Sequence, residues 1–426
     1  MTDFFEDLRW RGLVQQCSDE AGLIKALDTG PVTLYCGFDP TAESLHVGNL
    51  VPLISLARFQ RAGHRTLALV GGATGLIGDP SGKSTERALQ SDEQVRERAA
   101  RIAAQLSQFV DTTDTARGAV VNNLDWTQGV SMLSFLRDVG KHFSVGAMLA
   151  RDSVKSRLAR EGEGISFTEF SYMLLQAFDF HELARLHGCT LQIGGSDQWG
   201  NMVSGADLIR RKLGRDAFAL TFPLLTTHDG KKFGKSEKGA VWLDASLTSV
   251  WDFFQFWLNA ADADVIRLLK LFTFVPRADI EALERELHAN PGSRSAQRRL
   301  AMEMTSLVHG EAAALEMSQA SEVLFGKASV ESLAPGALVR LFRAVPSAEV
   351  NAADDGPLTV SGLLVRLGLE TSMTKAHEVA RSGGLSVNGT KVQDGRTLVS
   401  SLAPLHGAWW LVRKGKKAFG LARRRS

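Results

Sequence analysis

The tightest constraint on the fold is a unit near the start of the chain in which strand and helix signals alternate. Residues 32–38 form a compact apolar run of strand type, and residues 47–62 carry helical periodicity closed by Gly63. Between them lies a small polar turn, Leu45-His46-Val47-Gly48-Asn49. Residues 66–70 form a second strand-type run that enters a glycine-rich turn. Ser91-Asp92-Glu93-Gln94 reads as a capping box for a helix reaching about residue 110. Further strand-type runs fall near Val120 and Leu191, with helical stretches between them. This alternation predicts an α/β fold with a doubly wound parallel sheet, Rossmann-like, whose ligands bind at the carboxyl ends of the strands. Tyr35, Gly71 and Gly194 all fall at such ends.

Downstream the pattern changes. Residues 248–325 are helical throughout, without strand-like runs, and residues 326–357 are rich in Ala, Ser, Pro and Gly and read as a linker. The remainder, 358–426, begins with two short helical patterns around Leu363 and Ala376 and ends strand-rich. Asn388-Gly389-Thr390 matches a glycosylation sequon but reads as a tight turn. The expected order is therefore a sheet domain at 1–247, an α-helical domain at 248–325, a linker at 326–357 and a small α+β module at 358–426.

Composition narrows the function. Hydrophobic residues make up 44% of the chain and charged residues 23%, ordinary values for a globular protein. No apolar run approaches the roughly 18 residues that span a bilayer. The N-terminus is acidic at Asp3, Glu6 and Asp7, unlike a signal or transit peptide. Cys17, Cys36 and Cys189 lack metal-ligand spacing, so no protein-held metal is expected, and the cysteine usage fits a reducing cytoplasm. The net charge of +2 conceals an asymmetry: residues 361–426 hold 12 Lys/Arg against 3 Asp/Glu, or +9, which leaves −7 on the rest. A basic tail on an acidic body points to a polyanion bound at the C-terminal end. The chain has 22 Phe but only 2 Tyr, Tyr35 and Tyr172. Packing rings are supplied by Phe or Trp, as in Val250-Trp251-Asp252-Phe253-Phe254-Gln255-Phe256-Trp257, so the two phenols read as wanted for their hydroxyls.

Three patterns carry chemistry. The turn at His46 opens a helix, where unpaired backbone N–H groups and a partial positive charge suit a phosphate. Lys232-Phe233-Gly234-Lys235-Ser236 is a polar loop between apolar stretches, and its two lysines can close over the same phosphates. Tyr172, Gln176 and Asp179 share one helix face among apolar neighbours. Such a stripe is either the wet side of an amphipathic helix or the lining of a polar pocket. Gly78-Asp79-Pro80-Ser81-Gly82-Lys83-Ser84 looks like a P-loop, but its glycines are one residue too close, and that reading is rejected.

In this order the two phosphate segments resemble the signatures of class I aminoacyl-tRNA synthetases, which activate an amino acid with ATP. Tyr35-Cys36-Gly37-Phe38-Asp39-Pro40-Thr41-Ala42 and Phe167-Thr168-Glu169-Phe170-Ser171-Tyr172 sharpen the match. So do Gly71-Gly72-Ala73-Thr74-Gly75 and Leu191-Gln192-Ile193-Gly194-Gly195-Ser196-Asp197-Gln198-Trp199-Gly200-Asn201. These runs are similar to bacterial tyrosyl-tRNA synthetases, in order and spacing, over essentially the whole chain. Residues 358–426 resemble the RNA-binding module named for ribosomal protein S-four.

The resemblance implies a catalytic domain at 1–247, an inserted dimerisation segment near residues 135–148, and a homodimer acting on L-tyrosine, ATP and tRNA. Tyr35 and Asp179 then bind the substrate hydroxyl, Tyr172, Gln176 and Asp79 its ammonium group, and Gln192 lines the same pocket. Thr41, His46, Asn49, Lys232 and Lys235 are the implied catalytic positions. Gly37, Asp39, Gly48, Gly195, Asp197, Gln198 and Ser236 join them around ATP, with Asp197 at the ribose. Lys83, Lys375, Arg381, Arg413, Lys414, Lys416 and Lys417 are the implied tRNA contacts. Mg²⁺ enters as the companion of ATP, with no tightly bound cofactor. The tyrosine carboxylate is already an anion and needs no protein base, so catalysis is positioning and charge stabilisation. Asn49 departs from the pattern, which has a second His there. The rival readings are a tryptophanyl enzyme, which an Asp179 facing a phenol disfavours, and an RNA-binding protein on a decayed nucleotidyltransferase fold, which the retained lysines and His46 disfavour.

Overall fold

The computed structural model describes residues 2–81, 90–151, 154–155, 158, 164–230, 233–236, 239–325, 328–351, 357–415 and 418–425, with the backbone alone at Thr2, Lys235 and Ser236. They form two compact units, Met1–Leu243 with Asp262–His288, and Asp244–Ala261 with Ala289–Ser426.

The first unit is built on six strands: β1 (Gln16–Cys17), β2 (Thr33–Phe38), β3 (Arg65–Val70), β4 (Gly118–Asn122), β5 (Cys189–Gly195) and β6 (Phe218–Phe222). Their order is β1-β6-β5-β2-β3-β4. All neighbours are parallel except β1, which runs antiparallel to β6. The central strands are near-continuous apolar runs because helices cover both faces; Leu34, Tyr35, Leu67, Ala68, Leu191 and Ile193 are all buried. The strand order reverses between β2 and β5, the place where a doubly wound sheet leaves a crevice at its carboxyl edge.

Local signals set the helices that frame this crevice. The expected helix at 47–62 divides into a 3₁₀ turn, Val47–Asn49, and a buried α-helix, Leu50–Arg61, and Gly63 ends it at φ 94°. Ser91 caps Asp92–Leu106 with the reciprocal Gln94 bond, as the capping box predicts. The long helix Phe167–His187 starts at Ser166, whose side chain accepts from the Glu169 amide, and stops at Gly188 with φ 65°.

Residues 262–288, expected in the helical domain, pack in the first unit. The buried Arg11 guanidinium donates to the carbonyls of Lys270, Thr273 and Val275, and Arg58 donates to Thr273 at 2.8 Å. Buried arginines need such acceptors, and they tie the segment to the sheet layer.

The second unit joins helices Val250–Leu258, Ser295–His309, Glu311–Phe325 and Pro335–Phe342 to a sheet of β9 (Ser347–Val350), β10 (Leu385–Val387), β11 (Thr390–Lys391), β12 (Trp409–Lys414) and β13 (Ala418–Arg424). The sheet order is β11-β10-β12-β13-β9. The stretch read as a linker therefore contains a helix and a strand. β9 pairs in parallel with β13 and buries Ala348 and Val350, two small apolar groups in a polar segment too short to register as a strand. Asn388 and Gly389, at φ 48° and 79°, form the tight turn expected between β10 and β11.

The pairing of β9 generates a prediction. A chain cut after residue 356 keeps β9 without β13 and exposes an unpaired edge. It is expected to elute in size-exclusion chromatography as larger species than a chain cut after residue 345 at the same concentration. Equal behaviour of the two would refute the pairing.

Candidate active site

A cavity of about 240 Å³ opens at the carboxyl ends of β2 and β5. Its lining includes Tyr35, Gly37, Asp39, Thr41, His46, Asn49, Asp79, Tyr172, Gln176, Asp179, Gln192, Gly195 and Gln198, thirteen of the expected site residues. A larger hollow of about 390 Å³ around Arg151, Asp207 and Arg211 holds none of them. Cations there already have partners, Arg211 on Asp207 and Arg151 on Ser204. The smaller cavity, with buried polar atoms turned into it, is the chemically equipped one.

One hydrogen-bond circuit organises its inner end. The buried Asp179 carboxylate accepts from Asn123 Nδ2 and from Trp126 Nε1, each at 2.9 Å. Asn123 Nδ2 also lies 2.9 Å from Thr74 Oγ1, and Asn123 Oδ1 accepts from the Ala73 amide at 2.7 Å. Thr74 donates to Asp39 Oδ1 at 2.7 Å, and Tyr172 donates to Asp39 Oδ2 at 2.8 Å. Asp79 accepts from the Ser81 amide and from Gln198 Nε2, and Asn201 Nδ2 bridges Gln176 and Gln198. The Tyr35 hydroxyl and Gln192 Oε1 are buried without a hydrogen-bond partner among the described residues.

Burial sets the electrostatics. It pushes the Asp179 carboxyl up to about 7, against the pull of Asn123 and Trp126, and Asp39 and Glu182 add to the rise. The Tyr35 phenol is held well above its ordinary range by burial and then by Asp179, and Tyr172 by burial and then by Asp39. Both phenols are therefore neutral donors at any physiological pH.

The outer end is built from backbone. His46 caps the 3₁₀ turn: its Nδ1 accepts from the Gly48 amide at 3.0 Å, and Asn49 Oδ1 accepts from the His46 amide at 3.1 Å. This leaves Nε2 as the ring's N–H donor. A Cβ on Gly48 would sit 2.7 Å from the His46 ring, so glycine is required there. Val47 and Leu45 pair with Val241 and Leu243, the strand-like continuation beyond the lysine segment. Gly234, at φ 87°, approaches so closely that a Cβ would lie 2.8 Å from Val47 Cγ2. The lysine segment thus runs directly against the His46 turn.

The remaining expected residues are placed differently. Gly48 lies in the turn but does not line the cavity, and Asp197 is exposed beside Gln198, at 3.3 Å. Lys235 and Ser236 form β7, which pairs with β8 (Gly239–Ala240). Lys83, Lys232, Lys416 and Lys417 lie outside the described residues. Lys375 and Arg381 are on the helix Met373–Arg381, and Arg413 and Lys414 on β12, all in the second unit. Lys414 is engaged locally, by Glu370 at 2.5 Å and the Leu369 carbonyl at 2.9 Å. Sequence reasoning missed Asn123 and Trp126. The signal available was an Asn-Asn-Leu-Asp-Trp run directly after a strand, at a carboxyl end where polar side chains face ligands.

Comparison with known proteins identifies the family. Residues 27–326 match the family model for tRNA synthetases class I (W and Y), and residues 337–422 match a tyrosine–tRNA ligase C-terminal domain. The tyrosine–tRNA ligase of Geobacillus kaustophilus is 51% identical over 423 residues, 99% of either chain. That of Nocardia farcinica is 51% identical over 419 residues, 97% of either chain. A C-terminally truncated mitochondrial tyrosyl-tRNA synthetase of Coccidioides posadasii superposes with a TM-score of 0.66 at 34% identity, over 74% of this chain and 91% of that one. The fold is that of a class I tRNA synthetase, the family to which the chain belongs. Within that class its full length aligns with tyrosine–tRNA ligases, which sets it apart from the tryptophan branch.

The Asp179 environment yields a stability prediction. Its folded pKa lies above the ordinary value of 3.8, so the native state holds a proton that the unfolded chain has lost between about pH 4 and 7. That contribution is complete below pH 4 and is lost as pH rises toward 7. Asp179→Asn, which cannot ionise, should flatten the fall in urea midpoint across this window; an unchanged slope would contradict the assignment.

Proposed function

We propose that the chain activates L-tyrosine with ATP and transfers the tyrosyl group to the 3′-terminal adenosine of tRNA. The observation that carries the reading is the buried, unpartnered Tyr35 hydroxyl within electrostatic reach of the Asp179 carboxylate. A substrate phenol donates to Asp179 and accepts from Tyr35, satisfying both. An indole N–H accepts nothing and leaves Tyr35 stranded, and phenylalanine leaves both groups unmet. Tyr172, in that circuit, and Gln176 and Asp79, linked to each other through Asn201 and Gln198, suit the substrate ammonium group. Its carboxylate oxygen attacks the α-phosphorus, the bond to the β-phosphate oxygen breaks, and pyrophosphate leaves with its charge. A hydroxyl of the terminal adenosine then attacks the carbonyl carbon and AMP departs.

Thr41, His46 and Asn49 border the phosphate end of the cavity, and Lys232 and Lys235 are assigned to the leaving pyrophosphate. Asn49, whose side chain caps the turn, keeps a role in shaping it. Gly195, Asp197 and Gln198 are assigned to the nucleotide. Mg²⁺ comes with ATP as part of that substrate. Lys83, Lys375, Arg381, Arg413, Lys416 and Lys417 remain the proposed tRNA contacts, with Lys414 acting partly through Glu370. The tail's charge of +9 supports them. We place the reaction in the cytoplasm. Met132, Leu133, Leu136, Val145, Leu149 and Phe167 form a large exposed apolar set, supporting a homodimer through this region. Leu133→Asp is expected to shift the mass measured by light scattering from dimer to monomer; an unmoved dimer would refute this contact.

Pyrophosphate exchange with each amino acid tests the activity. Exchange is expected with tyrosine and not with tryptophan. Tyr35→Phe should reduce discrimination against phenylalanine by about 1–3 kcal/mol, the value of a buried group left unpaired. An unchanged ratio would overturn the pocket assignment.

A further inference from the structure

The first turn of the helix Asp262–Phe272 holds a carboxylate that the cavity does not use. Asp264 is 5% exposed. Its Oδ2 accepts from the His228 amide at 3.2 Å and meets His228 Nδ1 at 3.0 Å. Its Oδ1 accepts from Arg267 at 3.2 Å, and the same arginine nitrogen donates to the Thr226 carbonyl. Burial alone would raise this carboxyl, yet the hydrogen bonds from His228, with Arg267 nearby, hold it below the usual carboxylate range.

What these bonds grip is the turn that precedes the lysine segment. The Gly230 amide closes the turn on the Thr227 carbonyl at 2.8 Å, with Gly230 at φ 78°. Three residues later Phe233 donates its amide to Leu225 at 3.1 Å and stacks on Phe272, at the far end of the same helix, with ring centroids 5.7 Å apart. One helix therefore fastens the segment on both sides of Lys231-Lys232, by ionic hydrogen bonds at its start and by a ring stack at its end. Beyond Phe233, Gly234 lies against Val47. The His228 side chain is more than half exposed, so its contact with Asp264 adds little to the core and acts on the turn.

We propose that His228 and Asp264 are positioning residues for the lysine segment, holding the turn 226–230 so that residues 233–236 enter against the His46 turn in one register during adenylate formation. The proposal rests on the tyrosine-activation reading above. Neither residue touches substrate. Their effect is on the step in which pyrophosphate leaves, and the tyrosine pocket lies outside their reach.

The test compares His228→Ala, His228→Asn, Asp264→Asn and the His228→Ala/Asp264→Asn pair in the full chain. Rapid-quench measurement of adenylate formation at saturating ATP is set beside equilibrium dialysis of tyrosine and a thermal melt. His228→Ala is expected to slow adenylate formation about tenfold, the worth of one hydrogen bond to a charged group, with tyrosine affinity and melting temperature unmoved. His228→Asn, which still offers an N–H to Asp264, should recover most of the rate. The pair should be no slower than the worse single variant, because both act through one contact. A normal rate in His228→Ala, a parallel loss of tyrosine affinity, or additive losses in the pair would each overturn the proposal. Loss of adenylate formation in the unaltered chain would instead overturn the functional reading, and the positioning role with it.

Discussion

A carboxylate taken out of water at Asp179 organises the inner site. Burying a charge without partners is prohibitive, and two donors only partly offset it here, leaving the carboxyl titrating at about 7. The donors come from different elements, so satisfying Asp179 also fixes the geometry. Asn123 follows β4 and reaches the glycine-rich turn after β3 through Ala73 and Thr74, while Thr74 binds Asp39 beyond β2. Tyr172 closes the circuit by returning from Asp39 to the helix that carries Asp179. Three strand ends and one helix are thereby held in a single arrangement, with the Tyr35 hydroxyl left over. A network of this kind is worth most when every member is satisfied, and under the proposed function a substrate phenol supplies the partner that Tyr35 lacks among the described residues.

The end proposed for the nucleotide works on the opposite principle. Its geometry comes from main chain and glycine: Gly48 packs under the His46 ring and Gly234 against Val47. A side chain added at Gly234 would push apart the two segments that the proposed chemistry needs together, and one at Gly48 would displace the His46 ring. The amides of His46, Val47, Gly48 and Asn49 are already paired, with Asn49 Oδ1, the Val241 carbonyl, His46 Nδ1 and the His46 carbonyl, so this turn does not hold the unpaired N–H groups expected for a phosphate. A buried polar network at one end and close main-chain approach at the other thus share one sheet edge.

Much of this was legible in the sequence because it follows from local rules. Strand runs ending at Phe38, Val70 and Gly195, the Ser91 capping box and the one-face spacing of Tyr172, Gln176 and Asp179 are short-range patterns that tertiary packing reinforced. What escaped depends on long-range pairing. Asn123 and Trp126 reveal a role only when Asp179, more than fifty residues away, is brought to them. β9 is a strand because β13 offers it an edge, and its own four residues carry almost no signal. Residues 262–288 join the first unit through carbonyls, which no side-chain pattern advertises, and the acceptors of Arg11 and Arg58 could not be foreseen.

The central claim, that a buried ionised Asp179 is the acceptor for a substrate phenol, has a direct calorimetric signature. Binding of tyrosine measured at pH 6 in buffers of different ionisation enthalpy should release about one proton, since the resting carboxyl is mostly protonated there and the complex requires the anion. The release should vanish above about pH 8 and in Asp179→Asn. Tyrosine binding with no buffer dependence at pH 6, or the same proton release in Asp179→Asn, would contradict the account.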